Sequence, residues 1–150
     1  EGYVVGNRFD VERFIKEKYP AIIIRREQLA SDISGRLRIE DGIWVMTVNS
    51  LHPSVRQRYT LGHELGHYLN HRDSMKSFED STFFRSSHKS SMEYMADEFA
   101  ARLLMPESDV NALLKSGVKT VKEMAAKFDV SLEAMKYRLE QLGYIVKKTE

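Results

Sequence analysis

The spacing of hydrophobic and polar residues divides the chain into a mixed first part and a helical second part. Apolar residues at helical spacing predict a short helix over residues 9–19. Residues 21–24 form a compact β-branched run, and the stretch RLRIEDGIWVMTVN places Asp41 and Gly42 between two strand-like runs. Because Asp-Gly between such runs is typical of a β-hairpin, we predict a small antiparallel sheet of about three strands over residues 21–49.

Helical spacing continues through most of the remaining chain. Ser54, with Gln57 three residues later, predicts a capping box that opens a long helix over residues 55–71. Residues 73–91 contain seven serines and little periodicity, which predicts a loop or lid. Further helices are predicted over 92–104, over 107–115, after a capping box formed by Thr120 and Glu123, and after an N-cap at Ser131.

These elements predict an α+β fold in which the sheet packs on a pair of helices and a helical region follows. A chain of 150 residues is about one domain long and can bury a hydrophobic core. We expect residues 1–106 to form the core of the fold. Residues 107–150 would form a C-terminal helical extension that packs on this core.

Composition adds little about partners but argues against a membrane protein. Charged residues make up 30% and hydrophobic residues 42% of the chain, and the formal net charge is +1. This balance is ordinary for a globular protein and argues neither for nor against nucleic-acid binding. The longest aliphatic run, residues 21–24, is far shorter than the roughly 20 residues needed to span a bilayer. Since the chain does not begin with a basic and then apolar signal sequence, we expect a cytoplasmic protein without a membrane partner.

The absence of cysteine limits the possible metal sites. Without Cys there is neither a disulfide framework nor a thiolate zinc site, so any metal must be held by His and carboxylate. The stretch RQRYTLGHELGHYLNHR, residues 56–72, contains three of the five histidines. On a helix, His63 and His67 are separated by only about 40° around the axis, so both imidazoles can meet one ion. Glu64 points to another side, which leaves it free to act as a base toward a water molecule.

The alternative is a solvated helix that carries imidazoles without binding a metal. Gly62 and Gly66 argue against it, because each costs about 1 kcal/mol relative to alanine in the middle of a helix. The two glycines are one turn apart and form a smooth stripe, here called the glycine stripe, that lets another backbone approach closely. A solvated helix would gain nothing from this stripe. The H-E-x-x-H pattern therefore predicts a zinc-binding helix.

A catalytic zinc ion usually takes three protein ligands and leaves a fourth position for water, so two histidines do not suffice. His71 lies about 6 Å further along the helix axis and is expected to point past the ion. The stretch MEYMADEFAARLLMP offers Glu93 as the third ligand and Asp97 as the acceptor of a ligand histidine's outer N–H. Ala96 and Ala100 share that face and would pack on the glycine stripe. In the alternative interpretation, both acids only form a polar helix face.

These two stretches, RQRYTLGHELGHYLNH and EYMADEFAARLLMP, closely resemble the ImmA/IrrE-type zinc metallopeptidases over residues 48–106. The resemblance implies a zincin-like core in which the metal ligands are His63, His67 and Glu93, a gluzincin-like His₂Glu site for Zn²⁺. It also implies that Glu64 is the catalytic residue and that Asp97 occupies the family's Asn or Asp position.

The same resemblance implies a substrate. Members of that family commonly cleave a helix-turn-helix transcriptional repressor, so the chain is expected to be a zinc-dependent endopeptidase that cuts such a partner at a specific site. Many relatives carry their own N-terminal helix-turn-helix domain. The residues before the sheet are too few for one, so we expect the target to be a separate polypeptide. Met95 stands where the family has a glutamate, which puts a polar role for that side chain in doubt.

Three features of the reaction stay open in the sequence. The donor that steadies the oxyanion could be Tyr59, His71, His88 or Tyr94. A sheet edge could hold the substrate strand by backbone pairing, and we expect IWVMTVN to be that edge. Hydrolysis could also be weak or latent, because the serine-rich loop could cover the site.

A rival hypothesis makes the protein a zinc-binding transcription regulator. The stretch TVKEMAAKFDVSLEAMKYRLEQLGYI has the outline of two helices joined by a turn, as in DNA-binding units. Its charge argues against DNA, because residues 118–150 contain seven Lys or Arg against five Asp or Glu. The apolar residues of this stretch could equally pack on the core, so we expect a protein partner rather than DNA.

Overall fold

Six helices and two sheets make up the regular structure of residues 2–80 and 90–146, the part of the chain that the computed structural model describes. The strands are β1 (Val4–Val5), β2 (Arg8–Phe9), β3 (Ile23–Glu27), β4 (Gly35–Glu40), β5 (Ile43–Asn49) and β6 (Ser77–Asp80). The helices are α1 (Val11–Lys18), α2 (Ser54–His71), α3 (Ser91–Leu104), α4 (Glu107–Lys115), α5 (Val121–Phe128) and α6 (Leu132–Gln141). Of these described helices, none has the length and apolar character needed to cross a membrane. The predicted α+β class is confirmed.

The larger sheet has four strands within the described ranges, in the order β3-β5-β4-β6, while β1 and β2 form a separate hairpin. β4 pairs antiparallel with β5 and with β6, whereas β3 pairs parallel with β5. The sheet therefore differs from the antiparallel one predicted, because β3 lies beside β5 and not beside the next strand along the chain. The expectation that β5 forms the substrate-binding edge is wrong, since the edge strands are β3 and β6.

Two local features fix the connections of this sheet. Asp41 and Gly42 form the predicted turn between β4 and β5, and both have the positive φ (51° and 79°) that a type I′ hairpin turn requires. The Asn49 side-chain amide donates hydrogen bonds to the carbonyls of Ile33, at 2.8 Å, and Ala30, at 3.1 Å. Asn49 lies at the end of β5, so these bonds fasten the connection between β3 and β4 to the strand that lies between them.

β6 lies in the stretch that was predicted to be a loop or lid, so that prediction is wrong for residues 77–80. The rest of the predicted loop, residues 81–89, lies outside the described residues. β6 pairs with β4, and its alternating pattern buries Phe78 and Asp80 while the other two side chains are exposed. An acidic side chain therefore points into the protein from an edge strand.

The predicted N-terminal caps are confirmed for α5 and α6 but not for α2. Thr120 and Ser131 each accept a hydrogen bond from a backbone N–H of the first turn. α2 begins at Ser54 itself, and no described side chain caps it. Gln57 does not complete a capping box, because its Oε1 accepts a hydrogen bond from Nε of Arg26 at 2.9 Å, while its Nε2 donates to the carbonyl of His52 at 2.8 Å.

α2 and α3 form the most extensive contact between any two described elements, and the glycine stripe makes it possible. A Cβ built at Gly62 would lie 3.2 Å from Cβ of Ala100, and one at Gly66 would lie 3.1 Å from Cα of Ala96. Because such distances are tighter than ordinary van der Waals contact, alanine at either position would push the helices apart. The predicted packing of the glycine stripe on the alanine face is confirmed.

The C-terminal helices contribute to the same hydrophobic core as α1 and α2. Arg58 of α2 donates a hydrogen bond to the carbonyl of Phe128 at 3.1 Å. Arg138 of α6 donates to the carbonyl of Met105 at 2.8 Å, just before α4. These bonds join the last helices to the earlier elements, and the division of the chain at residue 106 stays a prediction.

Candidate metal centre

The middle of α2 and the first turn of α3 bring two imidazoles and one carboxylate together. Nε2 of the buried His63 lies 2.9 Å from Oε1 of Glu93, and Nε2 of the buried His67 lies 3.1 Å from Oε2 of the same side chain. Ser90 caps α3 by accepting a hydrogen bond from the Glu93 backbone N–H, which places this glutamate in the first turn. The three residues predicted as metal ligands therefore lie in contact with one another.

A fourth donor, Asp80, reaches the same point from β6, and sequence reasoning missed it. Its Oδ1 lies 3.3 Å from Nε2 of His63 and 3.4 Å from Nε2 of His67. Ligand atoms of His63, His67, Asp80 and Glu93, here called the metal group, all lie within 4.8 Å of one another. Such a set of nitrogen and oxygen donors could hold a metal ion. The only signal in the sequence is the acidic end of SFED, which looks like ordinary surface charge.

The ring of Phe78 fixes β6 over α2. It stacks on the imidazole of His67, with ring centroids 4.3 Å apart and ring planes 11° apart. Because side chains alternate along a strand, Asp80, two residues later, faces the same side. β6 thereby supplies a carboxylate to the imidazoles of α2.

Unpaired polar atoms around this point fit a cation. Among the described residues, both carboxylate oxygens of Asp80, both of Glu64, and Nε2 of His67 are buried without a hydrogen-bond partner. A buried polar group without a partner costs about 1–3 kcal/mol, and a charged one costs more. A cation bound among these atoms would remove much of that cost, so the residues present fit a metal ion.

The charges of the site favour positive charge at its centre. Burial alone would lower the pKa of His63, but the carboxylates of Asp80, Asp97 and Glu93 raise it well above its ordinary value. Burial likewise acts to lower the pKa of His67, and Asp80 and Glu93 again raise it. The same negative field that favours a protonated imidazole favours a metal cation.

Glu64 lies beside the metal group, fully buried, in a space that Gly35 leaves open. A Cβ built at Gly35 would lie 2.6 Å from Cγ2 of Thr60 and 3.7 Å from Oε2 of Glu64, so even alanine there would displace its neighbours. Gly35 is also the cross-strand partner of Asp80. Burial raises the pKa of Glu64 well above its usual value, and the nearby Asp80 carboxylate raises it further. A cation in the site would lower the pKa of Glu64 again.

The outer nitrogens of both imidazoles also have partners. Nδ1 of His63 donates to Oδ1 of the buried Asp97 at 2.7 Å, which fixes the tautomer that leaves Nε2 available to a metal. Nδ1 of His67 lies 3.1 Å from Nδ1 of His71. His71 thus lies behind a predicted ligand and outside the metal group, as expected for a side chain that points past the ion.

The remaining oxyanion-donor candidates occupy different positions. The buried Tyr59 hydroxyl donates to the backbone carbonyl of Asp97 at 3.0 Å, so it helps to hold α3 against α2. Tyr94 follows Glu93 in α3 and is 52% exposed. His88 lies outside the described residues. Of these candidates, Tyr94 is therefore the one that the described residues present at the surface.

Residues 17–140 match the family model Peptidase_M78, the IrrE N-terminal-like domain. This match covers well over half of the 150-residue chain and includes the whole metal group, Glu64 and Asp97. No curated protein matches the chain.

Proposed function

The chain belongs to the IrrE N-terminal-like peptidase family, and from this premise we propose that it is a zinc-dependent endopeptidase. Membership of the family supports metallopeptidase function, and the described residues include a group that could bind a metal ion. The observation that carries the proposal is the approach of the Glu93 carboxylate to Nε2 of His63 and of His67, at 2.9 and 3.1 Å. Two imidazoles and one carboxylate form a ligand set that hydrolytic zinc sites use.

The surroundings of these ligands favour zinc. Imidazole nitrogens suit Zn²⁺, and the contact from Asp97 would keep Nε2 of His63 unprotonated and directed at the ion. His71 would orient the His67 ring in a similar way. A zinc ion held here would supply Lewis acidity, which activates a water molecule for attack on a peptide carbonyl.

We assign the role of general base to Glu64. Its carboxylate is buried beside the metal group and has no hydrogen-bond partner among the described residues, so it is available to accept a proton from water. Glu64 would then pass the proton to the leaving amine nitrogen.

The proposed substrate is an extended segment of a protein that pairs with the edge of the sheet. β6 lies at an edge of the sheet among the described strands, and its last residue, Asp80, belongs to the metal group. A peptide strand paired with β6 would therefore run past the imidazoles. The resemblance of residues 48–106 to ImmA/IrrE-type enzymes supports a cytoplasmic helix-turn-helix repressor as the protein that supplies this segment.

DNA binding by α5 and α6 receives less support. Arg138, one of the basic residues of this stretch, is buried and donates to the carbonyl of Met105. The apolar faces of both helices belong to the hydrophobic core. Because these groups are used inside the protein, we propose a protein partner rather than DNA.

The experiment that tests the function compares the zinc-loaded protein with its Glu64→Gln variant. The candidate substrates are helix-turn-helix proteins encoded by the genes that neighbour this one, and mass spectrometry measures the products. Because general acid–base catalysis contributes about 10²–10⁴-fold, we expect cleavage to fall by at least about 100-fold while zinc content stays at the wild-type level. Glu98→Gln is the matched control, since this glutamate of α3 is half-buried, lies outside the metal group and pairs with Arg102.

Ligand variants separate loss of the metal from loss of the base. His63→Ala, His67→Ala and Glu93→Ala should each lose zinc as well as cleavage, and chelation should abolish cleavage by the wild type. A Glu64→Gln protein that still cuts the repressor would contradict the assignment of the base. Unchanged zinc stoichiometry in Glu93→Ala would contradict the assignment of the third ligand.

A further inference from the structure

We propose that Asp80 is a fourth protein ligand of the metal and that it closes the coordination position that water needs, so that the structure represents a latent form of the peptidase. This inference rests on the function proposed above. A catalytic zinc site keeps one position open for water or substrate, whereas four protein ligands close the site. The two sequence stretches that supply the three predicted ligands, residues 56–72 and 92–106, do not include Asp80.

The carboxylates of Asp80 and of Glu93 both lie close to the Nε2 atoms of His63 and His67. Four donors placed tetrahedrally around zinc, each about 2.0–2.1 Å from it, lie about 3.3–3.4 Å from one another. Asp80 Oδ1 lies 3.3 and 3.4 Å from Nε2 of His63 and of His67. The Glu93 oxygens lie 2.9 and 3.1 Å from the same two atoms. Asp80 Oδ1 therefore lies from both imidazole nitrogens at the distance expected between two ligands of one zinc ion.

The burial of Asp80 requires a positively charged partner. Its side chain is 2% exposed, and within residues 2–80 and 90–146 neither of its carboxylate oxygens has a hydrogen-bond partner. A buried carboxylate is costly unless it is paired with a cation or hydrogen-bonded. The positive charge that this carboxylate faces is that of the two imidazoles or of a metal ion held with them.

Glu79, the preceding residue, shows that the position of Asp80 is specific. Glu79 is exposed, as expected of an acidic residue that only keeps an edge strand soluble. The pairing of β6 with β4 and the stacking of Phe78 on His67 direct Asp80, and not its neighbour, into the metal group. The two acids of one short strand therefore have different environments.

The position of Glu64 explains how the fourth ligand would prevent hydrolysis. Gly35, the cross-strand partner of Asp80, lies against the Glu64 carboxylate. The proposed base and the closing carboxylate are thus neighbours, and water must replace Asp80 before Glu64 can take a proton from it.

The test uses the full chain loaded with Co²⁺ in place of Zn²⁺, because cobalt reports its coordination through visible absorption. The variants are Asp80→Ala and the matched control Glu79→Ala. We expect the wild-type and Glu79→Ala spectra to be the same and insensitive to azide. The Asp80→Ala spectrum should shift and should respond to azide, because its site is open. Zinc affinity, measured by competition with a chromophoric chelator, should fall by at least about tenfold in Asp80→Ala only.

Hydrolysis of fluorescently labelled casein at saturating zinc tests the latency. The rate should rise in Asp80→Ala and stay at the wild-type level in Glu98→Gln, which alters a carboxylate of α3 that pairs with Arg102. Circular dichroism checks that the variants fold, and Asp80→Asn, which keeps the side-chain volume, replaces Asp80→Ala if that variant does not.

Three outcomes would count against the proposal. The same cobalt spectrum, azide response and zinc affinity in Asp80→Ala and the wild type would overturn the ligand assignment, even if both proteins cut casein. Hydrolysis by Asp80→Ala that is no faster than that of the wild type, although the site is open, would overturn the latency. Failure of the wild type and all variants to bind any metal would instead refute the proposed function, and this inference with it.

Discussion

Two pairs of helices, α2/α3 and α5/α6, contribute to one core but bury different kinds of side chain. α2 buries His63, Glu64 and His67, and α3 buries Asp97 against them. α5 and α6 bury mainly apolar side chains, among them Met124, Phe128, Met135 and Leu139. Within the described residues, α2 carries buried side-chain atoms without hydrogen-bond partners, whereas α5 and α6 carry none.

This difference indicates which pair is built for stability and which for binding. α5 and α6 both have side-chain caps, whereas in the α2/α3 pair only α3 has one among the described side chains. Unpaired buried polar atoms lower the free energy of unfolding, and an ion that binds only the folded state restores it. Stability of the α2/α3 pair should therefore depend on a bound metal, and that of the α5/α6 pair should depend on apolar packing.

Phe128→Ala tests the apolar pair and should have the largest effect on stability. Because this side chain is completely buried, its truncation should lower the free energy of unfolding by about 3–5 kcal/mol. Zinc affinity, measured under conditions where the variant is folded, should equal that of the wild type, since Phe128 lies outside the metal group. Denaturant unfolding and chelator competition give the two values. A large fall in zinc affinity would show that metal binding by the α2/α3 pair depends on the packing of the α5/α6 pair.

Asp97→Asn tests the polar pair. It removes the negative charge that accepts the Nδ1–H of His63, so zinc affinity should fall by about 10–100-fold, as expected for partners of metal ligands. Chelator competition measures this change. Glu98→Gln, on the same helix but outside the metal group, should leave the affinity unchanged. Equal zinc affinities in Asp97→Asn and the wild type would show that the Asp97 charge does not support metal binding by His63.

Thr120→Ala, which removes the cap of α5, should have the smallest effect on stability of these variants. It tests whether the cap contributes to the stability of the α5/α6 pair. Loss of the hydrogen bond to the Glu123 N–H should lower the free energy of unfolding by about 1 kcal/mol, with no change in zinc affinity. Thr120→Ser keeps the capping hydroxyl and should remain near the wild type. If both variants unfold at the same denaturant concentration, the cap does not stabilise α5.

The helix pair of the site could be predicted from the sequence because its signals are local. A helix repeats every 3.6 residues, so the spacing of His63 and His67 places both rings on one side whatever the rest of the chain does. The same rule brings Glu93 and Asp97 together on α3. The glycine stripe then indicates the close contact between the two helices, and the structure confirms that contact.

The strands depend on pairing between distant parts of the chain, and the sequence predicted them less well. Four residues, SFED, contain too little periodicity to indicate a strand, and β6 exists because it pairs with β4, far earlier in the chain. Asp80 was missed for this reason. The parallel pairing of β3 was missed because neighbouring strands were expected to pair with one another. A tertiary contact also replaced the capping box at Ser54, since Oε1 of Gln57 accepts a hydrogen bond from Nε of Arg26 in β3 at 2.9 Å.

The stacking of Phe78 on His67 also fixes the register of β6 in a way that matters for the metal. Because neighbouring side chains of a strand face opposite sides, a slip of β6 by one residue would turn Phe78 and Asp80 outward together and bring Glu79 inward. The Phe78 ring and the Asp80 carboxylate therefore lie on the same face of β6, and a change of register moves both into or out of the site together. A binding partner that shifts β6 by one residue would therefore remove the Asp80 carboxylate from the metal group without contacting Asp80 itself.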